Sequence, residues 1–215
     1  SLIELIQYTP TTRQVLKEPV LIVPSCIMKY YILDLTPQNS LVRWLVGQGH
    51  TVFIVSWRNP DENDALLGMD DYVRSGVLAA LDYVRREIDL PVHLTGYCLG
   101  GTFTAMAAAA IENGTAKVSG KGHPLASLTL LAAETDFTEP GEMGVLIDEA
   151  QVEMLEAMMA EKGFLTGQQM AGSFQFLHAR DLVWSNGTKT LLLGEPAFAN
   201  ELMVWNADVT RLPAV

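Results

Sequence analysis

The sequence predicts an α/β fold in which helices flank a mostly parallel sheet. Short, uninterrupted β-branched runs such as Val20–Val23 are typical of strands buried on both faces of such a sheet. Strands also alternate with segments of helical length, which favours right-handed crossover connections. With 215 residues, 49% of them hydrophobic, the chain can bury a substantial core. We expect one core with an appended subdomain.

Five segments are predicted to be strands. Residues 2–8 partly alternate between apolar and polar and precede a turn-like segment, so we expect an edge strand there. The other four are compact apolar runs bounded by turn residues. In chain order the predicted strands cover residues 2–8, 20–23, 51–56, 92–95 and 125–131.

Four segments are predicted to be helices. In the first, Leu41, Trp44 and Leu45 recur at helical spacing, and Ser40 or Thr36 can cap its start. The last is predicted to be amphipathic and to stop at Gly163. Its apolar side is formed by Val152, Leu155, Met158 and Met159. In chain order the predicted helices cover residues 37–48, 69–86, 102–111 and 148–162.

The final third of the chain follows a different pattern. Residues 164–215 contain aromatic residues, glycines and prolines but no clear alternation of strands and helices. This is more typical of a cap packed over a site than of another sheet unit; an irregular terminal segment is the alternative. We therefore interpret residues 1–140 as the N-terminal part of the core and residues 141–215 as a cap or lid. The sheet is expected to be incomplete at its C-terminal side, with the remaining core strands absent.

Charge and composition exclude several function classes. The net charge of −11 argues against nucleic acid binding, which needs a basic surface. No apolar run reaches the length of about 18 residues that a membrane span requires, and the N-terminus lacks the zones of a signal peptide. We expect a cytoplasmic protein without a membrane span. The two cysteines lack metal-binding spacing, so no metal site is predicted and both thiols are expected to be reduced.

The strongest chemical signal is the segment GYCLGG at residues 96–101, which lies between a predicted strand and a predicted helix. Its serine counterpart, G-x-S-x-G, is the nucleophile elbow of α/β-hydrolases, where the nucleophile occupies a strained turn and glycines let strand and helix approach closely. We therefore expect an α/β-hydrolase-like core with Cys98 as the nucleophile. A cysteine in an ordinary glycine-flanked turn is the alternative.

Elbow geometry also predicts where an oxyanion would be bound. The backbone N–H of Leu99 would be one donor, and a second would come from the loop after strand 20–23, which contains Cys26 and Ile27. We assign Leu99, Cys26 and Ile27 to the oxyanion and substrate-binding region. The Cys26 thiol itself is interpreted as a buried bystander, because it lacks the glycine framing of Cys98.

The sequence offers no convincing general base. His50, His93, His123 and His178 fall in a turn, a strand, a glycine-rich loop and the predicted cap, whereas the histidine of an α/β-hydrolase follows its last strand. Asp136 follows a predicted strand, and we interpret it as a turn or cap residue.

A cysteine nucleophile favours synthesis over hydrolysis. Attack of a thiolate on an acyl thioester yields another thioester, so the acyl group stays activated for transfer to a hydroxyl.

Several segments taken together resemble the polyhydroxyalkanoate synthases. The segments KYYILDL at residues 29–35 and GYCLGG at residues 96–101 are the most specific, and both resemble the class I type. The likeness continues through Asp136-Phe137 and residues 181–184 to Trp205-Asn206, so it covers nearly the whole chain. Class I synthases act without a different second subunit and prefer short-chain monomers.

The resemblance implies an acyltransferase that polymerises (R)-3-hydroxyacyl-CoA and releases coenzyme A. It implies a homodimer on cytoplasmic storage granules, no cofactor apart from the coenzyme A thioester substrate, and a cap, matching residues 141–215, that moves to admit substrate. The catalytic histidine and aspartate of the family match no position here, so only Cys98 is carried over. The chain would then be a fragment of the catalytic domain that is inactive alone, and a natural truncation is the alternative.

Two other functions stay open. A thioesterase or hydrolase with a cysteine elbow would release free hydroxy acid instead of polymer. A fragment could also fold or dimerise without turnover, because most of the catalysed reaction rate is lost when the nucleophilic thiol has no general base.

Overall fold

A five-stranded sheet forms the centre of the computed structural model, which describes residues 1–139, 148–167, 169, 201–208 and 212–213. The strand order is β1-β3-β2-β4-β5, with β1 antiparallel to β3 and the other neighbours parallel. The strands are β1 (Ile3–Gln7), β2 (Val20–Val23), β3 (Val52–Trp57), β4 (Val92–Tyr97) and β5 (Leu125–Leu131). The predicted edge strand and the mostly parallel sheet are confirmed.

Helices connect the strands and cover the sheet, as the alternating pattern predicts. They are α1 (Leu41–Gly47), α2 (Met69–Asp71), α3 (Ala79–Ile88), α4 (Leu99–Glu112), α5 (Glu149–Lys162) and α6 (Glu201–Ala207). Between α2 and α3 the chain continues as a π-helix, Tyr72–Leu78, and short 3₁₀ turns form at Tyr30–Leu33 and Glu62–Asp64. A separate two-stranded antiparallel sheet pairs β6 (Phe164–Leu165) with β7 (Leu212–Pro213).

Both faces of β2 are buried, which explains its uninterrupted apolar sequence. On one face, Leu21 and Val23 belong to the cluster formed with the π-helix, α3 and α4. On the other face, Val20 and Ile22 pack in a cluster with side chains of α1. Because parallel strands need a cover of helices on each side, every residue of β2 must be apolar.

Helix α1 is shorter than predicted, and Val42 and Val46 rather than Trp44 are its buried residues. It begins after Ser40, whose Oγ accepts a hydrogen bond of 2.8 Å from the backbone N–H of Arg43 and so serves as the N-cap. Val42 and Val46 are buried against the sheet, whereas Trp44 is 60% exposed. Of the residues that predicted the helix, Leu45 packs half-buried against the same cluster, whereas Trp44 does not dock it.

Helix α5 has the predicted bounds but not the predicted packing. The Asp148 side chain accepts a hydrogen bond of 2.8 Å from the Gln151 backbone N–H, and Gly163 ends the helix at a φ of 77°. No residue of α5 is buried: on its apolar side Val152 and Leu155 are exposed, and Met158 and Met159 are only half-buried by the part of the chain that the structure describes. Most of the predicted cap, namely residues 141–147, 168, 170–200, 209–211 and 214–215, lies outside the described residues.

The described helices include none that is both long enough and apolar enough to cross a bilayer.

The π-helix packs closely against an aromatic side chain of β3. Gly76 lies directly over the indole of Trp57, and a Cβ at this position would overlap the six-membered part of the ring. Trp57 is itself packed against Tyr72 and Phe103, with ring centroids 5.3 and 6.2 Å away. The ring therefore has little freedom to move aside.

This packing gives a stability prediction. Gly76→Ala should lower the free energy of unfolding by about 1–3 kcal/mol, because the added methyl overpacks the site. Gly47→Ala is the matched control: an added Cβ there has nothing within 4 Å, and the change should be neutral or stabilising by about 0.4–1 kcal/mol. Urea unfolding of the two variants checks this, and equal stabilities would contradict the described packing.

Candidate active site

Cys98 occupies the tight turn between the end of β4 and the start of α4. Its φ of 54° and ψ of −128° are close to those of the first central residue of a type II′ turn, a position that favours glycine. Its N–H donates a hydrogen bond of 3.0 Å to the Leu131 carbonyl on β5, and its carbonyl accepts one of 2.8 Å from Gly101. The turn is thus held in an unfavourable backbone conformation from both sides.

Three glycines let strand, helix and loop converge at this turn. A Cβ on Gly96 would lie 2.7 Å from the Gly100 carbonyl oxygen, and one on Gly101 would overlap the side chain of Ala133. A Cβ on Gly100 would overlap the carbonyl oxygens of Val23 and Pro24. These glycines are needed for close approach, and Gly100 brings the start of α4 against the loop that follows β2.

That contact brings the start of α4, where Leu99 lies, against the residues that precede Cys26 and Ile27. Leu99 is the first residue of α4, so its N–H has no acceptor within the helix and lies at the positive end of the helix dipole. Leu99 and Ile27 both pack, half-buried, against the core cluster that contains Cys26. The two backbone segments predicted to supply donors therefore meet at the carboxyl edge of the sheet, beside Cys98.

The two cysteines lie in different environments. Cys26 is only 2% exposed, whereas Cys98 is partly accessible. Burial, with a smaller contribution from the nearby Cys98, raises the pKa of Cys26 to about 12. At neutral pH the Cys26 thiol is therefore protonated, which is unfavourable for a nucleophile.

An aromatic group that the sequence reasoning missed supports the loop after β2. The indole N–H of Trp57 donates a hydrogen bond of 2.8 Å to the Pro24 carbonyl in a buried position. Tyr72 and Phe103 stack beside it at 5.5 Å, and burial raises the pKa of Tyr72. A tryptophan at the end of a strand, three residues before a proline, is a weak signal, because only the fold brings it beneath this loop.

The described histidines lie at the wrong edge of the sheet to reach Cys98. His50 and His123 directly precede β3 and β5, and His93 is near the start of β4, where it pairs with Val20. Five residues of extended chain separate His93 from Cys98, which is roughly 16 Å. His93 and His123 contact Ser127 and Glu112 instead, at 2.8 and 2.7 Å. His178 lies outside the described residues.

Asp136 forms a turn, as the sequence indicates. Its Oδ1 accepts hydrogen bonds from the Thr138 backbone N–H at 3.0 Å and from the Thr138 hydroxyl at 2.7 Å. These bonds lower the pKa of the carboxyl. They occupy one carboxylate oxygen within the local turn.

No cluster of histidine, cysteine and carboxylate side chains suited to a metal ion occurs among the residues that the structure describes.

Comparison with known proteins identifies relatives along the whole chain. Residues 1–45 match the family described as the N-terminus of poly-beta-hydroxybutyrate polymerase (PhaC). The chain is 43% identical over 215 residues to a poly(3-hydroxyalkanoate) polymerase of Methylorubrum extorquens, covering 99% of this chain and 34% of that protein. It is 41% identical over 218 residues to the poly(3-hydroxyalkanoate) polymerase subunit PhaC of Cupriavidus necator, covering 98% of this chain and 36% of the relative. The chain therefore spans about a third of the length of these curated relatives.

Solved structures confirm the α/β-hydrolase-like fold. A putative lipase from Sulfolobus solfataricus aligns with a TM-score of 0.52 and 12% identity, over 98% of this chain and 72% of the lipase. A putative non-heme bromoperoxidase from Mycobacterium tuberculosis aligns with a TM-score of 0.52 and 11% identity, over 97% of this chain and 69% of the bromoperoxidase. At this identity the likeness shows the fold alone.

The two thiols should differ in their reaction with iodoacetamide. At pH 7.5 we expect Cys98 to be alkylated at least about tenfold faster than Cys26, because alkylation needs an accessible thiolate. Peptide mass spectrometry over time measures both rates, and Cys98→Ala should remove the fast phase. In denaturant the two rates should become similar. Faster labelling of Cys26 in the folded chain would contradict the described burial.

Proposed function

We propose, from the homology of this chain to the poly(3-hydroxyalkanoate) polymerases along its whole length, that it provides the cysteine nucleophile of such an enzyme. The reaction is acyl transfer: (R)-3-hydroxyacyl-CoA is polymerised and coenzyme A is released. The observation that carries the proposal is the position of Cys98, at a positive φ in the turn between β4 and α4.

In the proposed first step, the Cys98 sulfur attacks the thioester carbonyl of the substrate. The tetrahedral oxyanion would be stabilised by the backbone N–H groups of Leu99 and Ile27. The C–S bond to coenzyme A then breaks, and the proton lost by Cys98 leaves with the coenzyme A thiol. The product is an acyl group held as a thioester on Cys98.

In the second step, a hydroxyl group attacks the acyl group on Cys98 and extends the polyester by one unit. The energy of the thioester is retained until this transfer, which explains the choice of sulfur over oxygen. Both steps need a general base. No described histidine reaches Cys98, so the base would come from residues outside the described part of the chain.

The wider assignments rest on the same homology. We propose that the active protein works as a homodimer on cytoplasmic polyester granules, and that residues 141–215 contribute to a cap over Cys98. The acidic balance of the chain, with a net charge of −11, makes a polymer contact through apolar surface more favourable than one through charge. Thioester hydrolysis by the same elbow is the competing activity.

The proposal predicts different roles for the two cysteines. In the whole protein that contains this chain, Cys98→Ala should lower coenzyme A release from (R)-3-hydroxybutyryl-CoA by about 10³-fold or more. Cys26→Ala is the matched control and should keep most of the activity. A thiol reagent measures the release of coenzyme A, and light scattering measures the formation of polymer. Equal losses in both variants would contradict the assignment, and free hydroxy acid without polymer would indicate a hydrolase.

The 215-residue chain alone should show no sustained turnover. Without a base beside Cys98, general acid–base catalysis worth about 10²–10⁴-fold is lost. The same thiol assay, run for hours at high protein concentration, measures this. Sustained coenzyme A release that disappears in Cys98→Ala would show that the 215 residues contain a complete site.

A further inference from the structure

Helix α6 holds the backbone that follows the oxyanion loop, although it is far away in sequence. The indole N–H of Trp205 donates a hydrogen bond of 3.0 Å to the Lys29 carbonyl, 176 residues away. The Tyr31 hydroxyl donates one of 2.7 Å to Oδ2 of Asp208, at the end of the same helix. Trp205 is only 8% exposed. Two hydrogen bonds and a buried indole thus fix α6 on the turn formed by residues 29–33.

This turn is continuous with the candidate oxyanion donor. Ile27 is two residues before Lys29, and the Met28 N–H closes a turn on the Ser25 carbonyl at 3.3 Å. Only Met28 lies between Ile27 and Lys29, and its N–H is bonded back to Ser25, so little free chain separates the Lys29 carbonyl from the Ile27 N–H. A shift of the turn therefore becomes a shift of the donor.

Both ends of the loop have other anchors, Tyr30 and Leu33 pack against the sheet, and α6 holds the Lys29 carbonyl between them. At the start, Pro24 is held by Trp57. At the end, Asp34 accepts hydrogen bonds from the hydroxyls of Tyr8 and Ser40, at 2.9 and 2.6 Å. Between them, the Lys29 carbonyl has the Trp205 indole and a longer bond of 3.3 Å from the Ile32 N–H.

We propose that Trp205 and Asp208 are positioning residues for the acyl transfer reaction: by clamping the turn at residues 29–33, they place the Ile27 N–H where the oxyanion forms. The inference rests on the proposed function of Cys98. The geometric tolerance of such a donor is small, because a misplacement of about 1 Å can cost about 10²-fold in rate. The assembly of the oxyanion hole thereby depends on a helix from the predicted cap.

The test uses Trp205→Phe, which keeps an aromatic ring but removes the N–H donor. In the whole protein, kcat for coenzyme A release should fall by about 10- to 100-fold with KM changed less than about twofold, because the lost interaction acts in the transition state. Asp208→Ala should act in the same direction. Asp208→Asn retains an oxygen acceptor for the Tyr31 hydroxyl and should restore most of kcat.

Val204→Ala, on the same helix at a side chain that is 57% exposed, is the control and should behave as wild type. Wild-type kcat in both Trp205→Phe and Asp208→Ala would overturn the proposal. A loss that is equal in Asp208→Asn and Asp208→Ala would overturn the role given to the Tyr31 hydrogen bond.

Hydrogen–deuterium exchange of the 215-residue chain tests the clamp without any turnover. Trp205→Phe should increase exchange of peptides spanning residues 26–33 and leave peptides from β3 unchanged. Unchanged exchange in residues 26–33 would overturn the clamp itself. The failure of the proposed function looks different, since Cys98→Ala would then retain coenzyme A release whatever the exchange pattern.

Discussion

The structure of the candidate site depends on one backbone constraint, the positive φ at Cys98. A residue with a Cβ is costly in this conformation, and it persists because β5 and the first turn of α4 hold the flanking peptide groups. The turn is tight, so β4, α4 and the loop after β2 approach one another closely. At Gly96, Gly100 and Gly101 a side chain would overlap neighbouring atoms. The cost of this strain is offset by the favourable burial of the central strands of the sheet, which lie directly beneath the turn.

From this constraint follows the arrangement of the carboxyl edge of the sheet. Because Gly100 packs against the carbonyls of Val23 and Pro24, the first N–H groups of α4, which have no acceptor within the helix, lie against the loop after β2. Trp57 supports the loop from the core, and α6 holds the turn that follows it. Cys26 belongs to the same loop, yet burial keeps its thiol protonated. The thiol of Cys98, the start of α4 and the loop after β2 are thus brought together by packing.

Local patterns were sufficient to predict the sheet, the turn at Cys98 and the bounds of α5, whereas α1 is shorter than predicted and the predicted helix 69–86 contains a π-helix. The uninterrupted run of β2 and the glycines around Cys98 each satisfy a requirement set by their immediate neighbours. What could not be predicted depends on distant residues. Val42 and Val46 dock α1 because the sheet surface there fits small β-branched side chains, while Trp44 stays exposed. The contact between Trp205 and Lys29 joins residues 176 apart, and no local pattern indicates it.

The strain at Cys98 is measured most directly by comparing Cys98→Gly with Cys98→Ala in urea unfolding. Elsewhere in a chain, glycine is less stable than alanine by about 0.5–1 kcal/mol, because it loses more conformational freedom on folding. At a φ of 54° and a ψ of −128°, we expect the order to reverse, with Cys98→Gly more stable than Cys98→Ala by about 1 kcal/mol or more. A more stable Cys98→Ala would show that the turn is unstrained and would contradict the elbow.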